Sequence, residues 1–248
     1  MILSVCRSSY EKKHYFSYKL SNPNFKKMKK TLSLIFALVS ISIYAQRWPE
    51  ARYFNGVKAG VNFFNINSDD IEFNSGTGFN GAYTRRIPLV EMLEANLFVE
   101  YQQNNFSVGA GDLLSSNSED TYREVDYKMH SFRLGALANF KAYGPYFSVV
   151  AGPVIQFNDK LKFDEADGDL QVTTPDKEMT NTTVEDLSQV SGFNFLFAAG
   201  ITAGDINYKV YGLYEFGMNN ILSSVQTSGG NTLKGNTGVL TVGAIVYF

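Results

Sequence analysis

Residues 237–248 read TGVLTVGAIVYF, and the fold turns on them. Strand side chains alternate between faces, so Leu240, Val242, Ala244, Val246 and Phe248 form one apolar stripe. Thr241, Gly243 and Tyr247 share the opposite face, with Val239 and Ile245 as apolar exceptions. At the edge of a soluble sheet such a stripe would invite aggregation. In a bacterial outer-membrane barrel it would be the closing strand, pairing with the first and facing lipid. A buried terminal strand of a soluble sheet is the other reading, so the preceding residues must decide.

Seven further segments alternate in the same way. They lie at about 54–66, 76–86, 91–108, 126–142, 146–158, 193–203 and 208–220. The third is the clearest, with Leu93, Ala95, Leu97, Val99 and Tyr101 against Glu94, Asn96, Phe98, Glu100 and Gln102. Pro153 lies inside the fifth and cannot donate to a ladder, which predicts a bulge there. Connections alternate between long and short. Short turns follow the even strands, at 87–90, at Tyr143-Gly144-Pro145 and at 204–207, and long polar segments follow the odd ones. The expectation is an all-β, eight-stranded antiparallel up-and-down transmembrane β-barrel, with all long loops at one end. A soluble lipocalin-like barrel would bury its apolar face and show a strongly charged opposite face. Here the opposite face is mostly small and polar.

The bulk composition fits this layout. The 248 residues include 15 Tyr, 20 Phe and 21 Gly, a mixture that favours strands and tight turns. Mean hydropathy is −0.14, too polar for a bundle of membrane helices, while a barrel needs only alternate residues apolar.

The N-terminal part reads as a leader. Met28-Lys29-Lys30 is followed by the uncharged run TLSLIFALVSISIY (31–44) and a plausible cleavage point at Ala45-Gln46. This is a secretory signal pattern, and the apolar run is too short for a comfortable membrane span. Residues 1–27 are basic and irregular, and read as an upstream extension from a misplaced start, with Met28 the true initiator. The expected division is 1–27 extension, 28–45 signal peptide, and 46–248 barrel domain. The leader holds eight Lys/Arg, one acidic residue and Cys6. Removing it from 22 basic and 24 acidic residues leaves 14 and 23, a net charge of −9 and no cysteine. An acidic balance argues against nucleic-acid binding, and no disulfide or thiolate metal site is expected.

The chain resembles the small outer-membrane β-barrel family common in Bacteroidota-type bacteria, the PorT-like or outer-membrane-barrel domain proteins. The resemblance rests on residues 28–46, on GVKAGVNF (56–63), GPYFSVVAGPVI (144–155), YGLYEFGMNNI (211–221) and on the terminal Phe248. It implies a barrel inserted by the outer-membrane assembly machinery. It also implies that some relatives serve protein secretion or gliding.

No residue pattern points to catalysis, a cofactor or a resident metal. His130 is the one histidine after the leader, and its neighbour Ser131 points to the opposite strand face. A hydrolase would need more than this. The acidic run 164–169 lacks the spacing and closing glutamate of a calcium loop, and reads as solvated. Asn181-Thr182-Thr183 matches a glycosylation triplet that such patterns produce by chance. Lys58, Glu94, Glu100, Arg133, Lys209 and Glu215 face inward, where a narrow barrel forces them to pair into a polar plug. Aromatics near strand ends should form two girdles: Phe63, Phe64, Phe106, Tyr127 and Phe157 at one end, Tyr83, Tyr143, Tyr146, Tyr208 and Phe248 at the other.

The expected role is that of an outer-membrane barrel acting through extracellular loops, in surface interaction, envelope integrity or a secretion assembly. Its partners would be outer-membrane lipid, the assembly machinery and a protein at the loops. A small porin-like solute channel and a soluble ligand-binding barrel are the alternatives.

Overall fold

Alternating segments of this kind must either find partners on both edges or leave backbone groups unpaired. In the computed structural model they find them. The structure describes residues 53–111, 122–176, 179–225 and 232–248. The expected extension at 1–27, the signal peptide at 28–45 and Cys6 lie outside the described residues.

The strands are β1 (Phe54–Asn67), β2 (Phe73–Asn74), β3 (Gly76–Val90), β4 (Leu93–Gly111), β5 (Tyr122–Tyr143), β6 (Phe147–Asn158), β7 (Gln171–Thr173), β8 (Met179–Thr183), β9 (Phe193–Gly204), β10 (Tyr208–Gly217) and β11 (Asn236–Tyr247). All pairings are antiparallel, and they form a ring. β1 pairs β3, β3 pairs β4, and the path runs through β5, β6, β9, β10 and β11 back to β1. The closing seam runs from Gly56 opposite Tyr247 to Asn67 opposite Asn236. It continues one step further, where Phe248 N–H donates to the Asn55 carbonyl at 2.8 Å.

The sheet has eleven strands, where the sequence predicts eight. The additional ones, β2, β7 and β8, have two to five residues and extend β4 at the long-loop end. They are too short to show a period. β5 is also longer than its apolar pattern. It starts at Tyr122, because outward-facing Glu124, Asp126 and Lys128 are exposed while Val125, Tyr127 and Met129 are buried.

The bulge predicted at Pro153 is absent. Pairing of β5 with β6 lapses beside Pro153 and resumes in the same register, from Gly135 opposite Val154 to Ala138 opposite Ala151. A missing donor removes a ladder bond without requiring an extra residue. Register shifts occur instead between Pro88 and Val90 and between Lys141 and Tyr143, next to turns.

Short turns gather at the end where β1 begins and β11 finishes. They lie at Glu91-Met92, at 144–146, where Gly144 takes φ +51°, and at 205–207, after Gly204 with φ +142°. A side chain at Gly204 would be strained by that φ and would meet the Tyr208 carbonyl at 2.2 Å. The other end holds the long connections.

Every ring strand turns an apolar face outward. Val57, Val61 and Phe63 on β1, Leu97 and Val99 on β4, Phe132 and Phe140 on β5, and Leu240, Val242 and Val246 on β11 are all exposed. Val242 is 51% exposed, in the middle of its strand. Water-soluble chains rarely leave so continuous an apolar band uncovered.

Inside, small residues make room for large ones. Gly135 lies under the buried Phe98 ring, and a Cβ there would come within 2.1 Å of it. Gly135→Val should therefore push Phe98 aside and lower stability by about 1–3 kcal/mol. Urea unfolding in detergent micelles should give a lower midpoint at unchanged slope. An unchanged midpoint would contradict this packing.

Candidate functional site

Three inward layers stack along the barrel, and each is set by strand parity. The central layer holds Lys58 on β1, Glu100 on β4, Arg133 on β5 and Glu215 on β10. Glu100 and Arg133 are direct cross-strand partners. Arg133 Nη1 lies 2.7 Å from Glu100 Oε1, and its Nη2 pairs with Glu215 Oε2. Lys58 Nζ lies 2.6 Å from Glu100 Oε2, which also accepts from Asn80 Nδ2 at 2.8 Å. The Lys58 ammonium sits 4.2 Å over the Phe98 ring and 5.0 Å over Tyr211. Two cations thus meet two carboxylates, and Arg133 is fully buried. Charges removed from water in this way are tolerated only when paired and hydrogen-bonded. The cluster fills the lumen at mid-height.

The turn-end layer is built from Arg86, Glu94, Lys141 and Lys209. Glu94 takes Lys141 Nζ at 2.8 Å and Asn139 Nδ2 at 3.1 Å. Arg86 lies between the Phe54 and Tyr247 rings, at 4.4 and 4.3 Å. Lys209 donates to the Pro145 carbonyl.

The loop-end layer is apolar. Phe64, Phe106, Val108, Tyr127 and Met129 point inward from strands and pack against Ile71, Leu161, Leu187, Ile221 and Leu222 from the loops. A short helix, α1 (Val184–Leu187), starts at a capping box formed by Thr183 and Asp186. Tyr127 OH donates to the Val184 carbonyl at 2.8 Å, and α1 buries Val184 and Leu187. Loops are tied to one another as well: Ser191 N–H donates to the Ile221 carbonyl at 2.7 Å, and Lys234 N–H to Asp70 Oδ2 at 2.8 Å. The result is a folded cap across the barrel mouth. A cleft of about 820 Å³ opens in it, lined by Asn65, Asp69, Glu72, Asn220 and Lys234 among others. Tyr122 and Tyr127 lie beyond the apolar band. Burial, and then the Glu72 carboxylate at 3.2 Å, hold the Tyr122 hydroxyl above its ordinary range. Burial pushes Tyr127 up too.

All six inward charges expected from the sequence face the lumen, in two groups. Lys58, Glu100, Arg133 and Glu215 form the centre, while Glu94 and Lys209 lie at the turn end. Arg86 and Lys141 were not among the expected residues. Arg86 shares the parity of Asn80 and Thr84, but its place at the end of a segment beside Arg85 reads as a solvated terminus. Lys141 shares the parity of Arg133, again near a turn.

Three aromatics depart from the expected girdles. Phe64, Phe106 and Tyr127 are buried in the cap, because each has inward parity, whereas Phe63 and Phe157 are exposed outward. The five at the turn end are all exposed. The acidic run is structured rather than merely solvated: Asp164 caps a 3-10 turn at Glu165–Asp167, and Asp167 pairs with Arg123. His130 faces out, its Nδ1 2.7 Å from the Tyr101 hydroxyl, while Ser131 is buried inside. The two are thus kept apart. Among the described residues no three of His, Cys, Asp and Glu come together to hold a metal ion.

Neither family models nor curated proteins give a match to this chain. Solved structures do. Neisserial surface protein A is 14% identical with a TM-score of 0.45, over 78% of this chain and 97% of that one. Ail, the attachment invasion locus protein of Yersinia pestis, is 15% identical with a TM-score of 0.44, over 79% and 99%. The outer membrane protein OprG from Pseudomonas aeruginosa is 12% identical with a TM-score of 0.45, over 80% and 97%. At these scores the likeness carries no weight for the role of this chain.

Two outcomes follow from the layers. Arg133→Met should leave Glu100 and Glu215 facing each other without their shared cation, at about 3–5 kcal/mol. Adding Glu215→Gln should recover part of that loss, and chemical denaturation of both variants in micelles reads the difference. Leu187→Ala should loosen the cap and leave the ring intact. Limited proteolysis should cut the 159–192 connection sooner, while the boiled and unboiled gel mobilities stay as in the parent protein.

Proposed function

We propose that this chain is an eight-stranded up-and-down outer-membrane β-barrel whose lumen is shut and whose work is surface interaction through its cap. The eight are the long ring strands, with β2, β7 and β8 belonging to the cap. One observation supports the reading above the others: the lumen is filled twice, by the Arg133 cluster and by the cap core, while a cleft of about 820 Å³, lined by polar and apolar side chains alike, stays open on the loops. A solute path would have to break both. A surface receptor or adhesin needs neither broken.

The outward band supports lipid as its partner. On β5 it covers residues 132–143, about 36 Å along the strand and roughly 28 Å along the axis at a tilt of about 40°. A hydrocarbon core is about that thick. At the lower edge of the band, Tyr143, Tyr146, Tyr208 and Phe248 are exposed at the level where interfacial aromatics sit. In this reading residues 28–45 are cleaved on export, the assembly machinery inserts the barrel, and the short turns face the periplasm. Membership of the PorT-like group, with a role in a secretion assembly, is the more specific form of the proposal. No catalytic role is assigned, since Tyr101 and His130 stand alone at the edge of the band.

Planar-bilayer recording is the test. The protein should insert without steady discrete currents, and should fractionate with outer membranes as a heat-modifiable band. Deleting Phe248 removes one end of the closing seam and should weaken the heat shift. Steady unitary currents from the parent protein would replace the surface role with transport. A soluble periplasmic protein without a heat shift would replace the membrane barrel altogether.

A further inference from the structure

The turn-end mouth carries more positive charge than its own residues offset. Arg86, Lys141 and Lys209 share one carboxylate, Glu94, around a cavity of about 170 Å³. Arg86 and Lys209 are each only 4% exposed. Glu94 is already taken by Lys141 and Asn139, and its Oε2 stands 3.8 Å from Arg86 Nε, too far for a hydrogen bond. Arg86 Nε is accordingly buried without a hydrogen-bond partner. Among the described residues, Arg86 Nη2 and Lys209 Nζ donate to backbone carbonyls alone, of Ile206 and Pro145. Asp205, the nearby turn carboxylate, accepts the Ile206 N–H at 2.7 Å and offsets part of the Lys209 charge, so three cations still meet only two carboxylates. The lining residues add one hydroxyl to the donor set, that of Ser148, itself buried, and the rest of the lining is Phe54, Pro145, Ile206 and the charged groups.

Buried cations that outnumber their counter-charges are costly, and a planar guanidinium beside an ammonium and a hydroxyl suits a tetrahedral oxyanion. The Phe54 and Tyr247 rings hold the guanidinium flat, so little rotamer freedom is lost on binding. We propose that this mouth binds a phosphate group, as the free ion or as a phospholipid headgroup. The site is separate from the cap, at the opposite end of the barrel.

The test is calorimetric titration of inorganic phosphate into the purified chain in a non-ionic, phosphate-free detergent at low salt. Saturable binding near one equivalent is expected. Lys141→Met, at the partly exposed rim, and Lys209→Met should each weaken it tenfold or more. Glu94→Gln should tighten it several-fold by removing the competing carboxylate. Heat-modifiability of each variant checks that the barrel has formed, and Lys141→Met keeps the test open should a buried variant fail to fold. Lysophosphatidic acid in the micelles assigns the source: competition with phosphate identifies the headgroup, and unaltered phosphate binding identifies the free ion. No saturable binding to the parent protein, or binding that neither lysine variant weakens, overturns the proposal.

Discussion

Closure of the ring governs this molecule. β1 and β11, at opposite ends of the described chain, pair over twelve residue positions, so every ring strand has a hydrogen-bonded neighbour on both edges. Once the edges are paired, each side chain can only point in or out, and a period of two sorts the whole composition. The outer set becomes an uninterrupted apolar band. The inner set is confined to a space only wide enough for side chains. Neither arrangement would be stable alone: an open sheet with this outer face would aggregate, and an open interior would hydrate its charges rather than pair them.

The confined interior explains the central cluster. Arg133 spans the lumen because its planar guanidinium sends Nη1 to Glu100 and Nη2 to Glu215, a fixed fork that the point charge of a lysine does not provide. Lys58 completes the charge balance and rests on aromatic rings that also fill volume. Gly135 is small because Phe98 lies across it. Charge pairing and packing are therefore one problem here, solved by the same handful of inward positions.

The two ends use the same frame differently. At the loop end the strands run beyond the apolar band, and their inward residues turn from polar to apolar, giving the long connections a floor to fold on. The barrel thus carries a small soluble-style core outside the band, and the loops can change there without disturbing the charges below. At the turn end the connections are too short to fold over the mouth, so cations stay beside a cavity with carbonyls for company.

By itself the sequence determined whatever depends on alternation and on the lengths of connections. That includes the eight alternating segments, their outward faces, the turns at Gly144 and Gly204, and the inward parity of Lys58, Glu100, Arg133 and Glu215. Parity is a local property, set by the backbone of each strand. What only the tertiary structure decided is which inward residues meet, because that depends on register around a closed ring. It drew Arg86 and Lys141 into the turn-end charge group, moved Phe64, Phe106 and Tyr127 from the band into the cap, and ordered the acidic loop about Asp164 and α1. Residues far apart in sequence made those choices, through a volume that exists only once the ring is shut.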